Sequence, residues 1–541
     1  MFRIDVRAIA LVALVAAVPI SARAEVCLES KLSGAQVRGE LVRFTGQRWD
    51  LQTPLGRQSF YIDDFFPCAG GEVSVAAPEP VPDTAPPPAS PEIPGAETEE
   101  LPPAHLPSRR LRIAGSNTVG AELMPTLARA LLSAGGARPR VIETERGRVF
   151  AAASGDAIAI EAAGSSTGFR ALVDGRADLA MSSRPISEAE LSAFAALGQR
   201  GLDGPEREHV LALDGVVPVV SPSNPLQTIS LDELDAVFSG RITRWSGLGL
   251  DDRPIRVLAR DAQSGTFDSF ASLVLGGDKG RLTADAERFE SNRALAEAVS
   301  ADPSAIGFVA AGAVGATAAR PLSLRGTCGI VQKSGSFQIK TEDFALARRL
   351  FLYTRLAERT GLLAEAVDFA LSEAAQPLIE EAGFVSRAVT TVSGGSERAR
   401  LDVEAPDIAS DATAQRTAER LARLMQGSDR VSVTFRFATG SSLLEGKALQ
   451  DGPLLARFLN REVPGATVML FGFTDARGPF SANQALSVRR ARQAAALLEA
   501  SGVDPSRIES HGFSELMPVF CNDTPSGRSR NRRVEVWIRP G

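Results

Sequence analysis

Histidine is scarce in this 541-residue sequence, and its placement argues against two large classes of catalytic site. The three histidines, His105, His209 and His511, lie far apart, and none is close to a cysteine. Zinc sites need clustered ligands, and Ser/His or Cys/His catalysis needs a base beside the nucleophile. The sequence therefore predicts binding without a metal or other cofactor, and not enzymatic catalysis.

A strong excess of charge and a long apolar run are also lacking. Lys and Arg number 59 against 65 Asp and Glu, a net charge of −6, which is small for this length and argues against a nucleic-acid partner. No apolar run reaches the roughly 18 to 20 residues that cross a bilayer, so no transmembrane segment is expected in the mature chain. At about 100 to 200 residues per domain, the length predicts three or four folded units.

The first 24 residues have the organisation of an export signal. Arg3 and Arg7 precede an apolar run over residues 8–18, and Ala22-Arg23-Ala24 provides small residues at the positions that a signal peptidase requires. The pattern predicts a signal peptide (1–24) that is cleaved before Glu25. Export would place the protein in an oxidising compartment, where disulfides persist.

The four cysteines fall into two pairs of different kinds. Cys27 and Cys68 flank one short segment, and we expect them to form a disulfide. Cys328 and Cys521 lie in different regions, so the sequence leaves open whether they are free or bridged.

Composition divides the chain into several segments. Residues 25–75 alternate polar and apolar residues, which predicts a small β-rich domain. Residues 76–108 form a Pro-rich linker, with eleven prolines between positions 78 and 107. Over 109–390, apolar strands alternate with amphipathic helices, which predicts an α/β domain with parallel-type sheets. A connecting segment (391–429) leads to a last α+β unit (430–541).

Three Ser/Thr/Gly clusters in the middle region mark transitions from a strand or loop to a helix. They are residues 115–118, 164–168 and 263–266. The first N–H groups of a helix lack partners within it and carry a positive dipole, so an oxyanion is a natural ligand there. Arg260 stands four residues before Ser264 and would add forked, charged donors. The clusters together predict an anion site.

This middle region resembles the periplasmic phosphate-binding proteins of ABC transporters, which have a two-lobed type 2 periplasmic binding fold. The resemblance lies in RLRIAGSNTVG, SSTGFRALVDGRADLAMSSRP, LDELDAVFSGRITRW, AIGFVAAG and RRLFLYT. It implies capture of phosphate or a similar oxyanion, and delivery to an ABC permease. The residues that it places around the anion are Ser116, Asn117, Thr118, Ser165, Ser166, Ser182, Ser183, Arg260, Ser264, Gly265 and Thr266.

One departure from the family pattern concerns selectivity. Family members place an Asp after the third strand, where it accepts the proton of hydrogen phosphate and rejects sulfate, but here Ser183 stands in the segment AMSSRP. Asp214 is the first candidate for a replacement acceptor, although it could equally be a turn former. Arg184 is expected to be structural.

In the last unit, one acidic and one basic residue are placed to act together. Asp475 follows an apolar strand, and at 100° per residue Arg490 lies on the apolar face of the next helix, whereas Arg489 and Arg492 face solvent. A guanidinium on the packed side of a helix needs a negative partner or a ligand.

The last unit resembles the OmpA-like peptidoglycan-binding domain in FRFATGSSLL, GFTDARG, the run from Asn483 to Ala491, and SGRSRNRRVEVWI. The resemblance implies that Asp475 and Arg490 bind the ammonium and carboxylate of diaminopimelate in the stem peptide, with Thr474 and Asn483 shaping the pocket. A structural Asp–Arg salt bridge remains the alternative. Arg532 and Arg533 are expected to be scaffold residues.

Together these features predict a periplasmic binding protein that captures phosphate and is anchored non-covalently to peptidoglycan beside the outer membrane. The alternative is a wall-associated structural or sensory protein that uses the two lobes for ligand-dependent contacts with a partner.

Overall fold

The computed structural model describes the strands within residues 25–67, and from residue 109 onward every residue except 134–135, 200, 263, 316, 403–410, 438–443 and 445. The predicted signal peptide, the Pro-rich linker and Cys68 lie outside the described residues, so the predicted Cys27–Cys68 disulfide does too. Among the described helices, none is long and apolar enough to cross a membrane. The chain divides into two units, residues 1–100 and 101–541, which are described separately.

The N-terminal unit contains a five-stranded antiparallel sheet with strand order β4-β3-β2-β1-β5. Its strands are β1 (Glu25–Ser30), β2 (Gln36–Phe44), β3 (Arg48–Thr53), β4 (Gly56–Tyr61) and β5 (Phe65–Pro67). Alternation of polar and apolar residues, as in Gln36–Phe44, is typical of such strands. The predicted small β unit is therefore confirmed.

The second unit begins with an α/β region. Its strands are β6 (Arg109–Gly115), β7 (Arg140–Thr144), β8 (Gly147–Ala151), β9 (Asp156–Ala162), β10 (Leu179–Ser182), β11 (Glu208–Val220), β12 (Thr228–Ile229), β13 (Arg256–Arg260), β14 (Glu287–Phe289), β15 (Ala305–Ala310), β16 (Arg320–Pro321), β17 (Ser323–Arg325), β18 (Val331–Gln332) and β19 (Ala347–Thr354). Its helices are α1 (Met124–Leu132), α2 (Ser165–Val173), α3 (Glu188–Ala196), α4 (Leu231–Phe238), α5 (Gly265–Leu273), α6 (Asn292–Ala301), α7 (Ser336–Lys340), α8 (Gly361–Leu371) and α9 (Gln376–Glu381).

Local sequence signals account for several helix starts in this region. Ser187 and Ser230 cap α3 and α4, and each accepts a hydrogen bond from the backbone N–H three residues later. Glu190 and Glu233 return bonds to the capping residues, which completes the capping box that the Ser-x-x-Glu spacing of each segment favours.

One continuous sheet runs through both lobes of this region. Its order is β14-β13-β15-β11-β19-β10-β6-β9-β8-β7. Strands β6, β9 and β10 pair in parallel, as do β13, β14 and β15, whereas the central pair β11/β19 is antiparallel. The sheet is therefore mixed, with parallel pairing concentrated within each lobe.

Two separate sets of buried side chains define the lobes. The first lobe comprises residues 109–212 and 350–384, with apolar clusters around Leu111 and Phe169. The second lobe comprises residues 213–349, with a cluster around Trp245. Among the described strands, only β11 and β19 contribute to both clusters, so we call residues 213–215 and 347–349 the hinge.

The C-terminal domain has a five-stranded sheet of order β20-β21-β24-β22-β23. Its strands are β20 (Thr391–Ser393), β21 (Asp429–Arg436), β22 (Thr467–Gly472), β23 (Ile508–Gly512) and β24 (Arg533–Arg539). Its helices are α10 (Gly394–Glu397), α11 (Ala412–Met425), α12 (Gly446–Arg461), α13 (Phe480–Ala500) and α14 (Pro525–Asn531). Apolar side chains fill both faces of the sheet. The predicted architecture, two α/β lobes followed by an α+β domain, is confirmed. The segment 391–429, which the sequence assigns to a connection, supplies β20, α10 and α11 of the α+β domain.

Candidate functional site

A buried ion pair lies at the hinge, between the two lobes. Asp214 on β11 is directly opposite Arg348 on β19 in the strand register. The Nε and Nη2 atoms of Arg348 donate to Asp214 Oδ2 at 3.1 and 3.0 Å. Only 11% of the Arg348 side chain and 2% of the Asp214 side chain are exposed. The pair therefore places both charges at the boundary between the two lobes, which we call the cleft, away from bulk water.

Arg348 also joins the two walls of the cleft. Its Nη2 donates to Thr118 Oγ1 of the first lobe at 3.0 Å and to Gly265 O of the second lobe at 3.3 Å. Thr118 Oγ1 itself donates to Gly265 O at 3.3 Å. A Cβ atom added at Gly265 would lie 2.5 Å from Thr118 Cα, so only glycine permits this approach. The lobes are closed on each other at this point.

Two oxygen atoms at this place lack donors. Asp214 Oδ1 and Asn117 Oδ1 are both buried, and neither has a hydrogen-bond partner among the described residues. A buried acceptor without a donor is costly, so such an atom is suited to accept a hydrogen bond from a bound ligand. The free oxygen of Asp214 is a suitable acceptor for a proton carried by a ligand.

The first two hydroxyl clusters meet at one edge of the first-lobe sheet. Strands β6, β9 and β10 run in parallel, and their carboxyl ends lead to Ser116, to Ser165 and to Ser182. The Ser165 and Ser183 hydroxyls are 3.4 Å apart, and Ser183 N–H donates to Ser165 Oγ at 3.2 Å. Ser116 is buried, and its N–H donates to Met181 O at 2.9 Å. The structure thus brings these serines into one edge of the sheet.

Two serines of the predicted site, Ser182 and Ser166, bond to Arg184. Ser182 Oγ donates to Arg184 O at 2.6 Å, and Ser166 Oγ accepts from Arg184 Nη2 at 2.8 Å. Arg184 is paired with Glu190 at 2.7 Å. This ion pair is the structural role that the sequence predicted for Arg184.

The third cluster forms the start of α5. Ser264 caps the helix, and its Oγ accepts from Thr266 N–H at 3.2 Å. Both side chains are buried, and Gly265 between them is the residue that contacts Thr118. Gln263 lies outside the described residues.

Arg260 has different partners from those expected of an anion ligand. Its Nε and Nη2 donate to the backbone oxygens of Phe289 and Glu290, at 3.1 and 2.7 Å. Burial lowers the pKa of its guanidinium, although Asp261 opposes the shift. In this closed structure, Arg348 and not Arg260 is the cation that contacts Thr118 and Gly265. Sequence reasoning missed Arg348, because its partner Asp214 is 134 residues away and no local spacing links them.

A second cluster of charged residues lies in the C-terminal domain. Arg490 is fully buried on α13, as its helical position predicted, while Arg489 and Arg492 are exposed. Its Nη1 donates to Phe473 O at 3.4 Å. The pKa of its guanidinium is lowered to about 9, mainly by burial and also by the nearby Arg532, although Asp475 raises it. A buried cation of this kind favours an anionic ligand.

The other predicted pocket residues lie on α13 and on the segment that follows β22. Asp475 is buried and accepts from Arg477 N–H at 3.1 Å. Asn483 Nδ2 donates to the Asp475 backbone oxygen at 3.3 Å and to Glu515 Oε2 at 3.1 Å. Thr474 Oγ1 is buried without a hydrogen-bond partner among the described residues.

Arg532, which the sequence assigns to the scaffold, pairs with Asp475. Its Nη1 donates to Asp475 Oδ2 at 3.0 Å, and both side chains are largely buried. Arg533, in contrast, is buried against Glu535 at 2.7 Å. The pocket therefore contains two cations, Arg490 and Arg532, around one aspartate.

The cysteine pair that the sequence left open is bonded. Cys328 of the second lobe and Cys521 of the C-terminal domain form a disulfide across 193 residues. The C-terminal domain is therefore linked covalently to the second lobe.

Family models match both regions. A PBP superfamily domain matches residues 140–343, and the OmpA family matches residues 436–532. The chain is 24% identical to the phosphate-binding protein PstS of Borreliella burgdorferi over 233 residues, which cover 42% of this chain and 79% of that protein. It is 42% identical to outer membrane protein A of Bordetella avium over 105 residues, which cover 19% of this chain and 52% of that protein.

Solved structures of similar proteins include an ABC-type phosphate transport receptor from Vibrio cholerae. It is 24% identical, covers 51% of this chain and 99% of its own, and has a TM-score of 0.40. The chain spans only about half of the Bordetella avium protein, and 33% of outer membrane porin F of Pseudomonas fluorescens. The chain therefore joins a PBP superfamily domain, similar to phosphate-binding proteins, to a C-terminal OmpA family domain.

Proposed function

We propose that the cleft between the lobes binds inorganic phosphate. The observation that carries the proposal is the arrangement of Arg348, which bonds to Asp214 and to both walls of the cleft, while Asp214 Oδ1 accepts no hydrogen bond from the residues that the structure describes. A tetrahedral anion entering here would meet one cation and a buried carboxylate oxygen. Hydrogen phosphate can donate its proton to that oxygen, whereas sulfate has no proton to donate at neutral pH.

In this proposal Asp214 replaces the acceptor that the family pattern would place at Ser183. The remaining contacts come from neutral donors of the predicted clusters. They are Ser116, Asn117, Thr118, Ser165, Ser166, Ser182, Ser183, Ser264, Gly265 and Thr266. Arg260 joins them only if ligand binding draws its guanidinium away from Phe289 and Glu290.

Calorimetry on the full chain tests the cleft. After removal of bound phosphate, we expect heat on titration with phosphate and far weaker heat with sulfate or molybdate. Asp214→Asn keeps the shape but removes the acceptor charge, so it should reduce the preference for phosphate over sulfate. Absence of heat with phosphate would refute the proposal, and an unchanged preference in Asp214→Asn would refute the role of Asp214.

We further propose that the C-terminal domain holds the protein on peptidoglycan by binding the free zwitterionic centre of diaminopimelate. Asp475 would meet the ammonium and Arg490 the carboxylate, with Thr474 and Asn483 shaping the pocket. The support is the burial of Arg490 beside Asp475. Arg532 already contacts Asp475, so the ligand ammonium would share that carboxylate with it.

Binding to purified diaminopimelate-type sacculi tests the anchor. Asp475→Ala combined with Arg490→Ala should abolish sedimentation with sacculi, because both charged contacts are lost. Arg489→Ala is the matched control, since Arg489 neighbours Arg490 on α13 but is exposed. If the double variant sediments as well as the control, the Asp–Arg contact is structural and the assignment is wrong.

The whole protein would then be an exported binding protein held in the periplasm on the wall, near the outer membrane. The second candidate, a wall-associated sensory protein, is favoured by the covalent link between the second lobe and the C-terminal domain. Growth of a deletion strain on limiting phosphate separates the two. A component that delivers phosphate to a permease should cause a growth defect, whereas a sensory wall protein need not.

A further inference from the structure

The C-terminal domain contacts the binding region on both sides of the hinge. On the first-lobe side, the side-chain amide of Gln450 on α12 bonds to backbone groups of β11, as the backbone of an adjacent strand would. Its Nε2 donates to Glu208 O at 2.8 Å, and its Oε1 accepts from Val210 N–H at 2.9 Å. Both bonds lie on the part of β11 that belongs to the first lobe.

A buried ion pair reinforces this attachment. Asp451 follows Gln450 and accepts from Arg387 Nη2 at 2.9 Å, and Lys447 bonds to the same carboxylate. Arg387 Nη1 also donates to Val210 O at 3.0 Å. Burial alone would raise the pKa of Asp451, but Lys447 and Arg387 hold it below its ordinary value. Helix α12 is therefore fixed to β11 by both backbone and charged contacts.

On the second-lobe side, the attachment is covalent and ionic. The Cys328–Cys521 disulfide crosses this interface. Arg430 of β21 donates to Asp343 Oδ2 at 2.7 Å, and Arg436 Nε donates to Glu342 Oε2 at 3.1 Å. All four charged side chains are buried.

One of these carboxylates also contacts the hinge itself. Arg349 Nη2 donates to Glu342 Oε2 at 2.8 Å, so Glu342 lies between the hinge strand β19 and Arg436 of the C-terminal domain. The preceding residue on β19 is Arg348, which contacts the cleft. The same short stretch of strand thus faces the cleft on one side and the domain interface on the other.

We propose that the C-terminal domain has a function besides wall binding: it braces the hinge and slows opening of the cleft. A body attached on both sides of a hinge resists rotation of the lobes, because one set of contacts must break first. The disulfide holds the second-lobe side, so the contacts that must yield are those on the first-lobe side: the bonds of Gln450 to β11 and the link from Asp451 through Arg387 to Val210 O. Only the identity of the ligand rests on the proposed phosphate function, since the brace acts in the empty protein as well.

The brace has a specific kinetic consequence. A ligand can enter or leave only when the lobes separate, since Thr118 and Gly265 are in contact in the closed form. Contacts that stabilise the closed form equally with and without ligand reduce the association and dissociation rates by the same factor. The equilibrium affinity then stays unchanged. Loosening the brace should therefore accelerate both rates and leave the dissociation constant nearly the same.

The test measures the distance between the lobes in the full chain without ligand. Spin labels are attached at Glu145→Cys in the first lobe and Asp285→Cys in the second, both of which are exposed. Gln450→Ala is the test variant. Asn460→Ala is the matched control, because Asn460 lies on the same helix but bonds to Gly502 within the C-terminal domain.

We expect one narrow distance distribution in the parent and in Asn460→Ala, and an additional population at a different distance in Gln450→Ala. Replacing Cys328 and Cys521 together by serine should have the same effect from the second-lobe side. If both loosened variants keep the distribution of the parent, or if the parent itself samples two distances without ligand, the brace does not exist. This readout needs no phosphate, so it stays informative if the cleft binds another ligand.

Stopped-flow binding of phosphate provides the second readout. Two net hydrogen bonds of typical strength correspond to about 30-fold in an equilibrium, so Gln450→Ala should raise both rate constants by up to about 30-fold. A change confined to the dissociation rate would contradict the brace, because it would show altered affinity instead of altered opening.

Discussion

Replacing Arg348 by methionine separates the two roles that this residue has in the cleft. Methionine keeps much of the side-chain length but removes the bonds to Asp214, Thr118 and Gly265. Asp214 would then be buried with no cationic partner. Removing one partner of a buried ion pair typically costs about 3 to 5 kcal/mol. Loss of a charged donor to the anion costs about 1.5 to 3 kcal/mol, or roughly 10- to 150-fold in affinity.

A second substitution separates these two costs. Asp214→Asn in the Arg348→Met background removes the isolated buried charge, so most of the lost stability should return. The affinity for phosphate should not return, because the cation is still absent. Arg293→Met is the control, since the Arg293 side chain is 76% exposed and its pair with Glu297 contributes at most about 0.5 kcal/mol.

The assays are urea denaturation of the full chain and calorimetry with phosphate. Arg348→Met should lower the urea midpoint and weaken phosphate binding, and the double variant should recover only the midpoint. The reasoning is refuted if Arg348→Met is as stable as Arg293→Met. It is also refuted if the double variant binds phosphate as tightly as the parent.

Two further predictions concern cleft closure and domain docking. Gly265→Ala should weaken phosphate binding in calorimetry by about 5- to 150-fold, because the added Cβ would lie 2.5 Å from Thr118 Cα. The control variant Gly446→Ala adds a Cβ in open space and should bind phosphate as the parent does. Burial would raise the pKa values of Glu342 and Asp343, but neighbouring arginines hold both below their ordinary values of 4.5 and 3.8. Their contribution to stability is therefore complete above about pH 5 and is lost as the pH falls through the lowered values. The urea midpoint of the parent should fall as the pH is lowered, and it should fall less steeply in the double variant Glu342→Gln with Asp343→Asn. Equal pH dependence of the urea midpoint in the two proteins would contradict this prediction.

Local sequence patterns predicted local structure well. The capping boxes at Ser187 and Ser230 depend on residues three positions apart, and both are present. The inward position of Arg490 follows from helical geometry alone, and the side chain is fully buried. These features need no knowledge of distant parts of the chain.

Charge pairing over long distances could not be predicted in the same way. Arg348 meets Asp214 across 134 residues, and Arg532 meets Asp475 across 57. Neither spacing carries a periodic signal, so local sequence favours Arg260 for the cleft and predicts neither of these two pairs. Which cation reaches a site depends on strand register, and a single sequence does not specify the register of strands so far apart.

The docking of the C-terminal domain was also beyond sequence reasoning. The sequence left the pairing of Cys328 and Cys521 open, and the disulfide joins the second lobe to the C-terminal domain. The contacts of Gln450 with β11 use backbone atoms, which leave no trace in residue identity. The two candidate sites therefore belong to a structure in which the C-terminal domain also contacts both lobes.

Retention of radiolabelled phosphate by sacculi loaded with the full-length protein would show whether one chain combines phosphate capture with wall binding. Washed, protein-loaded sacculi should retain about one phosphate per chain, which unlabelled phosphate should displace and sulfate at the same concentration should not. If sacculi that carry the protein retain no label above bare sacculi, or lose it equally to sulfate, the chain does not combine the two functions.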